Sequence, residues 1–133
     1  LRDGVHGLRQ ATLQAIAQPG SLAAVVRSFF DATLTFFDEE RDVFYLMHAE
    51  LEPRLRGEMK NEMRAVYAAQ TDAWHARLAA EPRRGGLPPA DAARMIVSFA
   101  FGLSIQRLRG WTDQTVADDA SSATALVLKG IGS

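Results

Sequence analysis

Residues 91–109, DAARMIVSFAFGLSIQRLR, decide the fold class of this chain. Ile96, Phe99 and Leu103 share one side of a helix, while Met95, Val97, Phe101 and Ile105 spread over the rest. A surface helix carries one apolar stripe, so this pattern predicts enclosure on more than one face. Arg94 and Arg107 stand near the ends of a run too short to cross a bilayer. The second face belongs either to the centre of a large bundle or to another chain.

Working outward, Pro89 suits the first turn of that helix and Asp91 its positive dipole end, after a turn cluster at 81–88, EPRRGGLP. Residues 54–80 hold no Pro and one Gly, with Leu55, Met59, Met63, Val66, Trp74 and Leu78 in phase, and read as a long helix. A short helix over 43–51 precedes Pro53, and the acidic turn 38–42 precedes that. Ser21 is a good N-cap for Leu22, Val25, Val26, Phe29, Phe30, Thr33, Phe36 and Phe37. Residues 1–17 form a first helix, weakened by Gly4 and Gly7 and stopped by Pro19 and Gly20. On the far side, Thr115 and Asp118 resemble a capping box opening a last helix with Val116, Ala120, Ala123, Leu126, Val127 and Ile131. No run alternates at period two, so the expected fold is all-α, a bundle of about six helices. Small residues on the last helix beside the doubly apolar 91–109 suggest that the final two helices pair with their own copy, as a four-helix interface.

Composition narrows the function classes. A chain of 133 residues is long enough for one domain with a substantial core, and 47% apolar with 23% charged residues is ordinary for a globular protein. The absence of Cys removes disulfides, thiolate metal sites and a Cys nucleophile, and fits a cytoplasmic protein. A net charge of −1 with dispersed Lys and Arg gives little of the footprint that phosphate-backbone binding needs. Leu1 is followed by no basic and apolar leader pattern, so no signal peptide is read, and the chain reads as beginning mid-protein.

Chemical motifs are sparse. His48 and Glu50 lie about 200° apart on a helix, Asp72 and His75 form a lone pair of metal-capable groups, and no Glu stands three residues before a His, so neither a metal nor a di-iron site is expected. The G-x-S-x-G elbow and the glycine patterns of nucleotide loops are absent, since Gly85 and Gly86 are followed by Leu-Pro-Pro. No cofactor and no enzymatic activity are expected.

Polar residues in phase with apolar stripes are more informative, because burial demands a partner for them. Gln70 continues the line of Met59, Met63 and Val66 toward Trp74. It either bonds a neighbouring helix or supplies a hydrogen-bonding group to an apolar cavity walled by Phe29, Phe30, Tyr45, Met63, Tyr67, Trp74 and Phe99. His48 and Leu103 join that candidate ligand set. Phe101, Ile105 and Leu108 on one side of 91–109, with Ala120, Ala123 and Val127, form the candidate dimer interface. Gly102 marks either a close helix approach or a merely tolerated Gly.

The order of elements resembles the C-terminal regulatory region of tetracycline-repressor (TetR) family transcription factors over nearly the whole chain. Residues 1–17 are similar to that family's connecting helix. FFDATLTFFDEERDVFYLM (29–47) is similar to its next two helices, and RRGGLPPADAARMIVSFAFGLSIQRL (83–108) with ALVLKGI (125–131) to its closing pair. The resemblance implies a homodimer, a small hydrophobic or aromatic effector held inside the remaining helices, and DNA bound only through an N-terminal helix-turn-helix. No residue of this chain matches that DNA-reading segment. Set against this is a free-standing helical protein-interaction module without a small-molecule ligand.

Overall fold

The computed structural model describes residues 2–42, 53–83 and 85–132. Five helices lie within them: α1 (Arg2–Ala17), α2 (Leu22–Glu39), α3 (Pro53–Ala80), α4 (Pro89–Leu108) and α5 (Val116–Ile131). Among the described residues there is no strand, and no helix is long and apolar enough to cross a membrane. The helix expected over 43–51, with Tyr45 and His48, lies outside the described residues.

Local chemistry sets the boundaries. The Ser21 hydroxyl accepts from the Ala24 amide at 3.2 Å and opens α2; Thr115 accepts from the Asp118 amide at 3.0 Å and opens α5. Gly132, left-handed at φ 77°, closes α5. Gly7, expected only to weaken α1, has a packing role: a Cβ there would stand 3.2 Å from the Phe36 ring, so the missing side chain lets α1 lie close on α2.

Packing makes a ring. α1 packs on α2, α2 on α4, α4 on α3 and α3 back on α1, while α5 lies along the outer side of α2 and only lightly touches α4. Through this geometry α2, rather than α4, becomes the centre of the bundle. It buries Leu22, Val25, Val26, Phe29, Phe30, Thr33, Leu34 and Phe37 in three directions. α4 buries one stripe within the chain, Ala92, Ala93, Ile96, Val97, Ala100, Ser104 and Leu108. Among the described residues nothing encloses the far side of α4 at Met95, which is 46% exposed.

The interior divides into two clusters. The larger joins Phe29 and Phe30 to Trp74, Leu78, Ile96, Val97 and the small face of α5; the smaller joins Val5, Leu8, Phe37, Met59, Val66 and Leu108. Edge-to-face ring pairs order the first, Phe29 on Trp74 at 5.4 Å and Phe30 on Phe99 at 5.7 Å between centroids. The buried hydroxyls of Thr12, Thr33, Ser104 and Thr124 each donate to the carbonyl four residues earlier, which satisfies them without a partner helix. The Trp74 indole N–H is buried without an acceptor among the described residues.

Two arginines fasten the ring. Arg107, 10% exposed, donates through Nε and Nη2 to both carboxylate oxygens of Asp38, and through Nη1 to Asp119 at 3.0 Å and the Gln114 carbonyl at 2.6 Å. It thereby ties the end of α2 to the end of α4 and the start of α5. Hydrogen bonding to Asp38 holds its pKa above the ordinary arginine value, against an opposing effect of burial. Arg77 on α3 donates to the Gln18 and Gly20 carbonyls at 2.7 and 2.8 Å and fixes the C-terminal end of α1.

Candidate ligand cavity

Where the two clusters fail to meet, the ring encloses a cavity of about 340 Å³. That volume is at the lower end of the range for small-molecule sites. The reason lies in residue size. At this level α3 places Lys60, Arg64 and Gln70 among Met63, Val66 and Tyr67, and α4 places the small Ser98 and Ala100 beside Val97 and Phe101. Helix axes held apart by Phe and Trp packing elsewhere leave a void that such side chains do not fill.

The deep part is lined by Leu8 of α1, Thr33 and Phe37 of α2, Val66 of α3, and Val97 and Ala100 of α4, all buried. The Thr33 hydroxyl there donates to the Phe29 carbonyl, and the other polar group is Gln70, 6% exposed, whose Nε2 donates to the Thr12 hydroxyl at 2.7 Å. The Thr12 hydroxyl gives its own proton to the Leu8 carbonyl, so it must accept from Gln70, and this fixes which way the amide is turned. The Gln70 carbonyl oxygen accepts no hydrogen bond from the described residues. Gln70 bonds a neighbouring helix and borders a cavity, but among the described residues that cavity shares only Met63 and Tyr67 with the wall expected from the sequence. Lys60, Arg64, Tyr67, Ser98 and Phe101 form the mouth, where the Tyr67 and Ser98 hydroxyls stand 3.4 Å apart.

Of the expected ligand set, the structure brings Met63, Tyr67 and Gln70 to the cavity. Phe29, Phe30 and Trp74 are sealed in the larger cluster, and Phe99 and Leu103 pack against that cluster's edge. Tyr45 and His48 lie outside the described residues. The two sides of α4 are the reverse of the expectation. Phe101, expected at a dimer interface, lines the cavity and stacks edge-on to Phe37 at 6.1 Å, whereas Phe99, expected at the cavity, turns to Phe30. Two residues apart means about 200° around a helix, and apolarity alone does not say which side meets which neighbour.

The candidate interface residues are also placed inward. Ala120, Ala123 and Val127 lie in the larger cluster, Leu108 lies in the smaller, and Ile105 is half-buried. The small stripe of α5 is therefore covered by α2 of the same chain. A Cβ on Gly102 would meet nothing within 4 Å among the described residues, so none of the five helices approaches it. The most exposed large apolar groups on α4 and α5 are instead Met95 and Leu126, the latter 61% exposed, and Trp111 between the two helices is exposed as well. Leu8, Thr33, Phe37, Val97 and Ala100 were not marked as lining residues by the sequence, because each sits on an ordinary core stripe. Among the described residues no group of three or more His, Asp or Glu could hold a metal ion.

No protein-family model matches the chain, and no curated protein sequence matches it. Among solved structures, the crystal structure of a transcriptional regulator of the TetR/AcrR family from Thermobifida fusca YX-ER1 is similar, with a TM-score of 0.61 and 19% identity. The match covers 95% of this chain and 69% of that one. The all-helical, TetR-like fold is thereby shared at an identity where the likeness is one of fold alone.

Proposed function

We propose that this chain is the effector-sensing and homodimerisation domain of a TetR-like, cytoplasmic DNA-binding transcriptional regulator, and that the cavity between α1, α2, α3 and α4 takes a small hydrophobic or aromatic ligand. The observation that carries this is the Gln70–Thr12 hydrogen bond, which joins a cavity-lining side chain to α1. In this reading the DNA-reading helices precede α1 in the complete protein.

α1 is built to transmit a change. Its C-terminal end is held by Arg77, while its N-terminal part rests through Val5 and Leu8 on the smaller cluster at the cavity edge. With a pivot near Ala17, the 1.5 Å rise per residue makes the start of α1 move about three times as far as Thr12. A ligand that fits better when Thr12 and Gln70 stand apart shifts the population toward a rotated α1, by no more than its difference in affinity for the two arrangements.

Titration with the neutral fluorescent probe 1-aminoanthracene tests the cavity. The wild-type chain binds it and melts at a higher temperature; at a probe concentration of 100 Kd the gain is about 2.7 kcal/mol. Ala100→Leu and Met63→Trp, which fill the void from two helices, abolish binding. Equal binding by wild type and both filled variants would refute the reading. For the dimer, Met95→Glu with Leu126→Glu converts a dimeric mass in sedimentation to a monomeric one, and a wild-type monomer at micromolar concentration would remove that half of the proposal.

A further inference from the structure

We infer that the cavity takes an apolar molecule bearing a single anionic group, with its head held at the mouth by Lys60 and Arg64; this rests on the cavity being the ligand site. The two cations stand four residues apart on α3, on the same face as Met63 and Tyr67, and both border the cavity. Neither makes an ion pair or hydrogen bond with any described residue. Arg27, Arg77 and Arg107, by contrast, are each paired with a carboxylate. Like charges at this spacing repel, so an anion between them relieves a cost that the empty chain carries.

Among the described residues the lining includes these two cations and no Asp or Glu, although the chain as a whole has a net charge of −1. Glu58 and Glu62 flank Lys60 at two residues on either side, about 200° round the helix. Glu62 borders a separate shallow depression beside Val5, His6 and Arg9. The positive mouth is therefore not neutralised by the acids nearest in sequence.

Orientation follows from the deep end. The Gln70 carbonyl oxygen, kept as an acceptor by the bond to Thr12, repels an anion, and the apolar lining of Leu8, Phe37 and Val97 makes burial of a charge there costly. The head stays at the mouth, where a flexible ammonium and a planar guanidinium can both reach one carboxylate, and the apolar part fills the interior.

Calorimetric titration with decanoate, decanol and decylamine reads this directly. Two solvent-facing charge pairs give decanoate a preference of roughly five-fold over decanol, and the preference shrinks with added salt. Decylamine, protonated at neutral pH, binds weakest. Lys60→Gln with Arg64→Gln abolishes the decanoate preference, while Lys60→Arg with Arg64→Lys keeps it. The unliganded melting temperature of each variant reports that it folds. Equal affinity for decanoate and decanol in the wild type, or a preference that survives the double Gln variant, overturns the inference and leaves the cavity standing. If none of the three binds and 1-aminoanthracene fails too, the cavity reading falls and takes this inference with it.

Discussion

Replacing Arg107 by Met keeps most of the side-chain volume and removes every hydrogen bond that the guanidinium makes at the junction of α2, α4 and α5, leaving the Arg41 bond to the Arg107 carbonyl in place. Asp38 and Asp119, only 29% and 14% exposed, are then left without their shared cation, and the Gln114 carbonyl loses its donor. Removing one partner of a largely buried ion pair costs more than the pair contributes, because the remaining charge stays desolvated. Here the partial exposure of Asp38 lets water soften the loss, giving about 2–3 kcal/mol. With an unfolding entropy of roughly 2.1 cal/mol/K per residue, each kcal/mol is worth about 3–4 °C at this length, so Tm falls by roughly 7–11 °C. Urea unfolding monitored by far-UV circular dichroism gives the free energy, and Asp38→Asn in the Arg107→Met background should add little beyond it. The raised arginine pKa puts this contribution fully in place below the unfolded value and removes it only in strong alkali, so Arg107 itself adds no pH dependence near neutrality. A loss under about 0.5 kcal/mol would refute the view that Arg107 fastens the bundle.

Two glycines should respond with opposite signs in the same unfolding assay. Gly86 is left-handed at φ 77° and a Cβ on it would stand 2.5 Å from the Ile131 carbonyl carbon, so Gly86→Ala costs at least about 2 kcal/mol. Gly102 is helical with open space around it, so Gly102→Ala gains about 0.5–1 kcal/mol, and a loss there would mean that another surface presses on this position. Trp74→Phe should cost no more than about 1.5 kcal/mol, since the lost contacts are offset by removal of a buried N–H without an acceptor, whereas Trp74→Ala costs about 3–5 kcal/mol. Equal costs for the two Trp74 variants would contradict that balance.

Helix existence was legible because the signals are local. Ser21 and Thr115 cap where their side-chain chemistry predicts, and the apolar phase of α2 alone names nearly all of its buried residues. The cavity was only partly legible. Gln70 stood out because a polar group on an apolar stripe demands a partner, and it found one in Thr12 across 58 residues of sequence. Leu8, Phe37 and Val97 carried no such mark, since a void forms from what neighbouring helices fail to supply. Which way α4 turns was not legible either: Phe99 and Phe101 are the same residue type on opposite sides, and only the ring of helix contacts assigns them. Ala120 and Ala123 fit a close helix approach equally well within a chain or between chains, and here α2 takes them.

Amide hydrogen exchange along α1, with and without saturating 1-aminoanthracene, tests the central claim that the cavity is a ligand site coupled to this helix. Binding should change exchange over residues 5–12, where α1 meets the cavity edge and Gln70, and leave residues 15–17 beside the Arg77 anchor as they were. The same change should be missing in Ala100→Leu. Bound probe with no change anywhere in α1, or a change spread evenly along it and retained in Ala100→Leu, would contradict the account.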